Sequence, residues 1–306
     1  MRDGRRVGSS TRRARLDRVA HRIVIFGAGG LVGSALTAQA TERGRAVLAL
    51  TSSQCDVTDP NAPEEFIESG DVVVNCAAYT RVDDAEADEA AAAAVNTAGA
   101  ENLAWACARA GAEFIHISTD YVFAGTQRHP YEIDDDTAPL SVYGRTKLAG
   151  EFAVLTAMPS AHVVRSSWIY QGADGGDFVA VMRRKAAGDE FVDVVADQIG
   201  SPTYVGDLVG ALLEVADGSI EESVLHAANQ GEASRFDQAQ AVFELVGADP
   251  KRVRPVDSSR HPRPAPRPAY SALSGVRSAA AGLTPLRPWR EALASALAGG
   301  TIPSTP

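Results

Sequence analysis

A tyrosine and a lysine, Tyr143 and Lys147, stand four residues apart in the stretch Tyr143-Gly-Arg-Thr-Lys147. On a helix this spacing places both side chains on one face, one turn apart. A lysine held near a phenol stabilises the phenolate and lowers the tyrosine pKa from its ordinary value of about 10. Such a tyrosine donates a proton to a carbonyl oxygen as hydride arrives, or accepts one in the reverse direction. An exposed surface helix gives the same spacing, so the pair needs support from the rest of the chain.

A glycine-rich turn near the start of the chain gives the first support. Residues 23–26 form a short apolar run typical of a buried parallel strand, and a helical pattern follows. Between them Gly27, Gly30 and Gly33 stand three apart, which permits a tight turn and lets a pyrophosphate approach the helix N-terminus. A plain glycine-rich turn is the alternative. The position after a strand and before a helix favours a dinucleotide site.

The second predicted strand, residues 46–50, bears on which dinucleotide is expected. An acidic residue at its end would bind the ribose 2′-hydroxyl of NAD. The chain instead continues with Thr51, Ser52 and Ser53, so NADP is allowed, although no arginine follows that would require it. Asp56 either caps the next loop or contacts the adenine end of the cofactor. We therefore expect NADPH or NADH.

Two more predicted strands end in small or hydroxyl residues. Residues 71–75 lead into the stretch 76–80, where small side chains would let a nucleotide lie against the backbone. Residues 113–117 lead into Ser118 and Thr119, at the strand end where ligands bind in a doubly wound sheet. A hydroxyl there can hydrogen-bond a substrate carbonyl, although an ordinary loop with a hydroxyl helix cap would look the same. Two other polar residues stay open: Asn96 is an active-site group or an ordinary helix asparagine, and His116 is expected to point into the core.

Composition limits the class of protein and its compartment. The chain has 306 residues, 45% of them hydrophobic, and no apolar run approaches the roughly 20 residues that span a bilayer. Three cysteines without metal-ligand spacing indicate a reduced, cytoplasmic protein. Residues 1–22 contain eight Arg and two Asp, a charge of +6. Because the net charge of the chain is −10, the remaining residues carry −16. The acidic body argues against nucleic-acid binding, and the basic head reads as a disordered extension or a mis-assigned start rather than a nucleic-acid arm.

The alternation of strands and helices predicts an α/β fold, a Rossmann-like doubly wound parallel sheet with a smaller C-terminal substrate-binding lobe. The expected division is a disordered basic extension at 1–21, an NAD(P)-binding domain at 22–166 with a return near 196–218, a substrate-binding lobe at 167–195 and 219–299, and a frayed tail at 300–306.

Taken together, these motifs resemble the dTDP-4-dehydrorhamnose reductase family of the extended short-chain dehydrogenase/reductases, its actinobacterial members most closely. The resemblance runs from about residue 22 to about 298. The segments that carry it are 27–33, 76–80 with Val82-Asp83, 118–123, 142–151, 197–204 and 267–273.

The resemblance implies reduction of the C4 ketone of a dTDP-sugar with NADPH or NADH, and it implies roles for individual residues. Tyr143 would protonate the C4 oxygen, Lys147 would hold the nicotinamide ribose and lower the Tyr143 pKa, and Thr119 would hydrogen-bond the carbonyl. Asp120, Tyr121 and Trp168 match substrate positions, and Gly27, Gly30, Leu31, Val32, Gly33, Asp56, Val57, Ala77, Ala78, Tyr79 and Thr80 match cofactor positions, with Tyr143 and Lys147. For the diphosphate, Arg183, Arg184 or Arg267 could supply charge.

The chain departs from the family pattern at a few positions. Ala124 stands where an acid is common, and Asp177 where an asparagine is frequent. The glutamates that form an inter-subunit magnesium site in some members have no clear match in the helix after the glycine turn. We therefore expect no metal, and a monomer or a homodimer.

Four alternatives bear on the expected reaction. A dehydratase would place Asp-Glu after the threonine to remove a proton next to the carbonyl, but Asp120 is followed by Tyr121. An epimerase would usually show an acid after the second strand. Another nucleotide-4-ketosugar reductase would share the same fold and trio. A non-catalytic regulatory subunit would keep the Rossmann body while its active-site groups drift, and the intact trio argues against that.

Overall fold

A six-stranded parallel sheet forms the centre of the computed structural model, which describes residues 21–172, 175–218 and 220–299. The predicted doubly wound α/β fold is confirmed. The strands are β1 Ile23–Phe26, β2 Val47–Leu50, β3 Val72–Asn75, β4 Glu113–Thr119, β5 His162–Ser166, β6 Ile169–Tyr170, β7 Val192–Val195, β8 Ile199–Gly200, β9 Thr203–Tyr204, β10 Val224–His226, β11 Ala233–Ser234 and β12 Val253–Val256. The expected basic extension up to residue 20 and the expected tail at 300–306 lie outside the described residues.

Ten α-helices are found among the described residues. They are α1 Leu31–Glu42, α2 Val82–Ala85, α3 Glu89–Ala93, α4 Ala100–Ala110, α5 Val142–Ala157, α6 Phe178–Ala186, α7 Val205–Ala216, α8 Arg235–Leu245, α9 Val276–Ala280 and α10 Trp289–Gly299. Short 3₁₀ turns cover Ala62–Glu65, Asp120–Val122, Pro250–Arg252 and Ser258–Arg260, and a π-helical turn covers Ala94–Gly99. Within the part of the chain that the structure describes, no helix is both long and apolar enough to cross a bilayer.

The strand order of the sheet, β2-β1-β3-β4-β5-β10, fixes where a ligand can bind. From β1 the chain first moves outward to β2 and then returns to add β3 on the other side. The loops after β1 and β3 therefore diverge, and a crevice opens at the carboxyl ends of these strands. The glycine turn follows β1, and residues 76–80 follow β3, so both predicted cofactor segments border this crevice.

Both faces of the sheet are covered, which explains why its strands are continuous apolar runs. Helices α1 and α7 pack on one face, where Leu36 and Leu212 are fully buried. Helices α4 and α5 pack on the other, where Leu103 and Val154 are fully buried. The first two turns of α5 lie next to the end of β4, so the inner-face side chain of Lys147 reaches the Ile117 carbonyl there.

A separate apolar core supports the C-terminal lobe. It is built from α6, α8 and α10 with the β7–β12 pair, and Phe243 and Leu293 lie at its centre. Some elements cross the expected domain boundaries; β10, for example, lies within the segment assigned to the substrate lobe yet pairs with β5 of the central sheet. Its three-residue run is too short for a periodicity argument to recognise.

Candidate active site

The six residues expected at the catalytic and substrate positions converge on one cavity of about 360 Å³. Thr119 ends β4, and Tyr143 and Lys147 project from the first two turns of α5. Ser141 caps that helix by accepting a hydrogen bond from the Gly144 backbone N–H at 3.1 Å. The cavity is lined by Thr119, Asp120, Tyr121, Tyr143, Lys147 and Trp168, with Val32, Asn75, Cys76, Ala77, Ala78, Thr80, Val82, Ile117, Ser118, Ser166, Ile169 and Arg235.

Tyr143 is half-buried, and it lines the first cavity together with Thr119. The Tyr121 ring meets the Tyr143 ring edge-on at 5.8 Å. Burial raises the pKa of Tyr143, because the phenolate would lose its hydration. The phenol is therefore protonated throughout the neutral pH range, which is the form that a proton donor to a ketone needs.

Lys147 reaches past Tyr143 to the end of β4. Its Nζ atom donates a hydrogen bond to the Ile117 carbonyl oxygen at 2.6 Å and lies 3.3 Å from Nε2 of His116. Burial lowers the pKa of Lys147 to about 8, against the attraction of Glu151. Burial is the largest influence on the Tyr143 pKa, and the lysine amine is turned toward β4, so the expected lowering of that pKa by Lys147 stays a prediction.

Asp120 forms the floor of the cavity on its substrate side. Ser271 donates to one carboxylate oxygen at 2.5 Å, and Thr119 donates to the other at 3.1 Å. Burial nevertheless raises the pKa of Asp120 to about 6. Because Ser271 belongs to the C-terminal segment and Thr119 to the central sheet, the Asp120 carboxyl group connects the two lobes at the cavity.

Trp168 adopts a strained backbone conformation at the edge of the same cavity. Its φ of 46° lies in the left-handed region, which is costly for a large side chain. The indole ring packs against Gly200, where an added Cβ would lie 2.4 Å from the ring. The Arg235 guanidinium lies 3.6 Å from the ring centroid. The indole ring thus packs against both Gly200 and Arg235.

A second cavity, of about 530 Å³, adjoins the first and shares the segment after β3 with it. It is lined by Gly27, Gly30, Asp56, Val57, Ala77, Ala78, Tyr79 and Thr80, as expected for a cofactor site, and also by Gly29, Thr51, Ser52, Cys55, Cys76, Arg81 and Val95. Val32 lines the first cavity. Leu31 and Gly33 line neither of these two cavities. Leu31 packs against the core, and Gly33 packs closely against the backbone of Gly27 and Ala28.

The glycine turn fits a dinucleotide because side chains are excluded where the chain folds back. Gly27 has a φ of 79°, and a Cβ there would lie 2.5 Å from the backbone nitrogen of Ala77. A Cβ on Gly33 would lie 2.3 Å from the Gly27 carbonyl oxygen. The turn and the loop after β3 therefore touch through backbone atoms, which leaves a smooth cradle at the N-terminus of α1.

Substitution of Gly33 by alanine tests this cradle. The added methyl group must push the turn away from α1, so we expect NAD(P)H binding to weaken about tenfold or more and stability to fall by about 1–3 kcal/mol. Fluorescence titration with NADPH and thermal unfolding measure the two effects. Gly210→Ala in α7, where the nearest atom to the new Cβ lies at 3.9 Å, is the matched control and should bind the cofactor normally. Normal binding by Gly33→Ala would contradict the packing argument.

The structure shows the contacts of Asn96 and Asp56, whose roles the sequence left open. Asn96 is buried in the π-helical turn; its Oδ1 accepts from the Tyr79 backbone N–H at 2.8 Å, and its Nδ2 donates to the Thr146 hydroxyl at 3.0 Å. Asn96 therefore clamps the cofactor loop to α5 rather than facing the reacting groups. Asp56 accepts hydrogen bonds from the backbone and hydroxyl of Thr58, which lower its pKa, and it also lines the second cavity.

Sequence reasoning missed one basic residue, Arg235, which begins α8. Of the expected diphosphate ligands, Arg183 and Arg184 are exposed on α6 and line neither cavity, while Arg267 is paired with Asp83 and lines the same third cavity as Arg235. Arg235 lines the first cavity and this third one, of about 410 Å³, which continues into the C-terminal lobe. It lies in a segment where strand and helix no longer alternate, so no sequence signal pointed to it.

Among the described ranges, no group of three or more His, Cys, Asp or Glu side chains is placed to hold a metal ion. The three cysteines are free, with Cys55 and Cys107 buried and Cys76 half-buried.

A Rossmann sheet with a glycine turn beside a Thr, Tyr and Lys cluster defines an NAD(P)-dependent short-chain dehydrogenase/reductase of the extended type. Comparison with known proteins narrows this class. The RmlD substrate binding domain family matches residues 21–301. The chain thus belongs to the dTDP-4-dehydrorhamnose reductase family of oxidoreductases, and the resemblance inferred from the sequence is confirmed.

Individual relatives agree over nearly the whole chain. The dTDP-4-dehydrorhamnose reductase of Mycolicibacterium smegmatis is 63% identical over 310 residues, covering 99% of this chain and 95% of that protein. That of Mycobacterium tuberculosis is 64% identical over 281 residues, covering 90% of this chain and 92% of that protein. A crystal structure of the Bacillus anthracis enzyme in complex with NADP has a TM-score of 0.84 at 32% identity, covering 90% of this chain and 98% of that chain.

Proposed function

We propose that the chain reduces the C4 ketone of dTDP-4-dehydro-β-L-rhamnose with NADPH or NADH to give dTDP-L-rhamnose. The observation that carries this proposal is the convergence of Thr119, Tyr143 and Lys147 on one cavity that adjoins the glycine-turn cavity. Named relatives more than 60% identical support the same reaction.

Thr119, Tyr143 and Lys147 have different roles in the reduction of the ketone. Tyr143 is the proton donor, because burial keeps its phenol protonated and the phenol faces the cavity. Thr119, at the end of β4, donates a hydrogen bond to the carbonyl oxygen of the substrate and orients this oxygen toward the Tyr143 phenol. Lys147, next along the helix, holds the nicotinamide ribose and places a positive charge near the developing phenolate. Asp120, Tyr121 and Trp168 hold the sugar.

The dinucleotide supplies a hydride to C4 when it is bound. Its pyrophosphate fits the backbone cradle at Gly27 and Gly30, and its adenosine end fits the part of the cavity lined by Thr51 and Asp56. The hydroxyls after β2 leave space for a 2′-phosphate and present no acid to repel it, so both NADPH and NADH should be tried.

The nucleotide diphosphate of the substrate is assigned to Arg235. The Arg235 side chain is half-buried over the Trp168 ring, and its guanidinium donates to Gln238 Oε1 at 3.2 Å rather than to a carboxylate. Burial lowers the pKa of Arg235 to about 10, so the group is still charged at neutral pH. A guanidinium whose partner is a neutral amide keeps its charge available for phosphate oxygens, to which its hydrogen bonds are strong.

Arg235→Met therefore should raise the KM for the dTDP-sugar about 10–100-fold while the KM for NAD(P)H stays unchanged, because one charge-assisted contact to substrate is lost. Arg184→Met makes the same exchange on the exposed face of α6 and serves as the control. Steady-state kinetics and competition by dTDP measure both. An unchanged KM for the sugar nucleotide in Arg235→Met would show that Arg235 does not bind the diphosphate.

The proposed arrangement has a cofactor domain at 22–166 with the return near 196–218, and a substrate lobe at 167–195 and 219–299 apart from β10. The acidic body and the free cysteines support a cytoplasmic enzyme that binds no nucleic acid, as a monomer or a homodimer.

The deciding experiment follows NAD(P)H oxidation by the purified chain with dTDP-4-dehydrorhamnose generated in situ, each dinucleotide tested alone. Rapid oxidation with dTDP-rhamnose as the product supports the proposal. Oxidation only with other nucleotide-4-ketosugars would identify a reductase of a different deoxysugar. Cofactor binding without turnover of any of them would indicate a regulatory subunit.

A further inference from the structure

A chain of buried polar groups, Asn75 and His116, adjoins Lys147 at the ends of β3 and β4, and Asn75 also lines the first cavity. Asn75 ends β3 and His116 lies on β4, and both are at most 1% exposed. Asn75 Nδ2 lies 3.1 Å from His116 Nδ1, and His116 Nε2 lies 3.3 Å from Lys147 Nζ. The proposed reaction gives no direct task to either residue, although a buried imidazole in an apolar sheet requires partners.

The orientation of the Asn75 amide fixes the tautomer of His116. The Ala77 backbone N–H donates to Asn75 Oδ1 at 2.9 Å, so the amide oxygen is turned toward Ala77 and the NH₂ group toward the imidazole. His116 Nδ1 must then accept a hydrogen bond. A neutral imidazole carries its one proton on the other nitrogen, which is the Nε2 that faces Lys147.

This tautomer of His116 disfavours the protonated form of Lys147. An ammonium group has only donors, so a protonated Lys147 would place N–H bonds against the N–H of His116. A neutral amine has a lone pair that accepts from Nε2–H, while its own N–H still donates to the Ile117 carbonyl oxygen at 2.6 Å. The geometry beside the lysine thus favours the neutral amine.

We propose that His116 and Asn75 are positioning residues that set the proton affinity of Lys147. This inference deepens the proposed function, because Lys147 must be charged to hold the ribose and to stabilise the phenolate. The other titratable groups facing the amine are Glu151 on α5, which favours the charged form, and Cys76 after β3. Arg165 on β5 reaches Lys147 only through Glu151, with which it is paired.

The effect on activity has a defined sign. A lysine whose pKa is lowered is charged at low pH and loses its charge as the pH rises through that value, about 8 here. Turnover should therefore fall on the alkaline side. Any change that turns an acceptor toward Lys147 should move this fall to higher pH, because it favours the ammonium form.

Two substitutions on different residues should act in the same direction. His116→Gln places an amide near Lys147, and its carbonyl oxygen can accept from an ammonium group. Asn75→Asp keeps an oxygen for Ala77 but replaces the donor to Nδ1 by an acceptor, which moves the imidazole proton to Nδ1 and leaves Nε2 as an acceptor. We expect each to raise the titration midpoint of Lys147 by about one pH unit or more. His162→Gln, at the start of β5, is the matched control and should change nothing.

The measurement is a carbon-13 NMR titration of the lysine ε-carbons in the full chain, which contains only three lysines, Lys147, Lys185 and Lys251. Lys185 and Lys251 are exposed and are assigned by exchange for arginine. Unchanged Lys147 midpoints in both variants would overturn the proposal. Where a variant does not fold, nitrogen-15 spectra of the unsubstituted chain decide, since a proton on Nδ1 of His116 would also overturn it.

The titration needs no turnover, so its outcome is independent of the proposed reaction. If the chain reduces dTDP-4-dehydrorhamnose, the alkaline fall in kcat should follow the NMR midpoint in each variant. A shifted midpoint without a shifted kcat profile would keep the structural inference and remove the catalytic function assigned to Lys147.

Discussion

Replacing Tyr143 with phenylalanine is expected to lower turnover of the ketosugar by about 100-fold or more while cofactor binding stays largely intact. The substitution removes one oxygen atom and keeps the ring that Tyr121 contacts. A general acid contributes about 10²–10⁴-fold to a reaction of this kind. Without the phenol, Thr119 can still hydrogen-bond the substrate oxygen but has no proton to give at neutral pH.

Steady-state assays and fluorescence titration with NADPH separate the two parts of this prediction. Tyr204→Phe removes a phenol oxygen from a half-buried ring outside the two adjoining cavities and is the matched control, with wild-type turnover expected. Wild-type turnover in Tyr143→Phe would exclude the phenol as the proton donor. Loss of cofactor binding in the same variant would show that the substitution disturbed the site rather than the proton transfer.

The sheet and the glycine turn were predictable because their signals are local. Each central strand is an apolar run of a few residues with turn residues beside it, and both faces of the sheet are buried. The glycine spacing indicates the turn, and at Gly27 and Gly33 only glycine tolerates the backbone contacts found there. The placement of Thr119, Tyr143 and Lys147 around one cavity follows from the same local facts, since a strand end and the helix above it must meet.

The remaining parts of the site depend on packing between distant segments, which a single sequence does not show. Arg235 reaches the cavity only because α8 lies against Trp168, 67 residues earlier in the chain. The sequence suggested the effect of Lys147 on the pKa of Tyr143, but it did not show the burial that raises this pKa. His116 was expected in the core and is buried there, yet its partners Asn75 and Lys147 come from two other elements.

The largest loss of stability is expected from Arg165→Met. Arg165 on β5 and Glu151 on α5 form a buried ion pair with an N–O distance of 2.7 Å, and each side chain is at most 6% exposed. Ser118 donates to the same carboxylate at 2.5 Å, and Arg165 also donates to the Ile133 carbonyl oxygen at 3.1 Å. The pair thus joins the catalytic helix, two strands and the loop that follows β4.

Removing the guanidinium leaves a carboxylate buried without its cation, so the free energy of unfolding should fall by about 3–5 kcal/mol. Chemical denaturation measures it. Arg109→Met makes the same exchange in an exposed pair with Glu64 and should cost at most about 1 kcal/mol. The double variant Glu151→Leu with Arg165→Met should recover part of the loss, because no unpaired charge is then buried, although Ile133 still lacks its donor. A loss in Arg165→Met no larger than in Arg109→Met would mean that water or a neighbouring group compensates the carboxylate. The clamp between α5 and β5 would then rest on apolar packing alone.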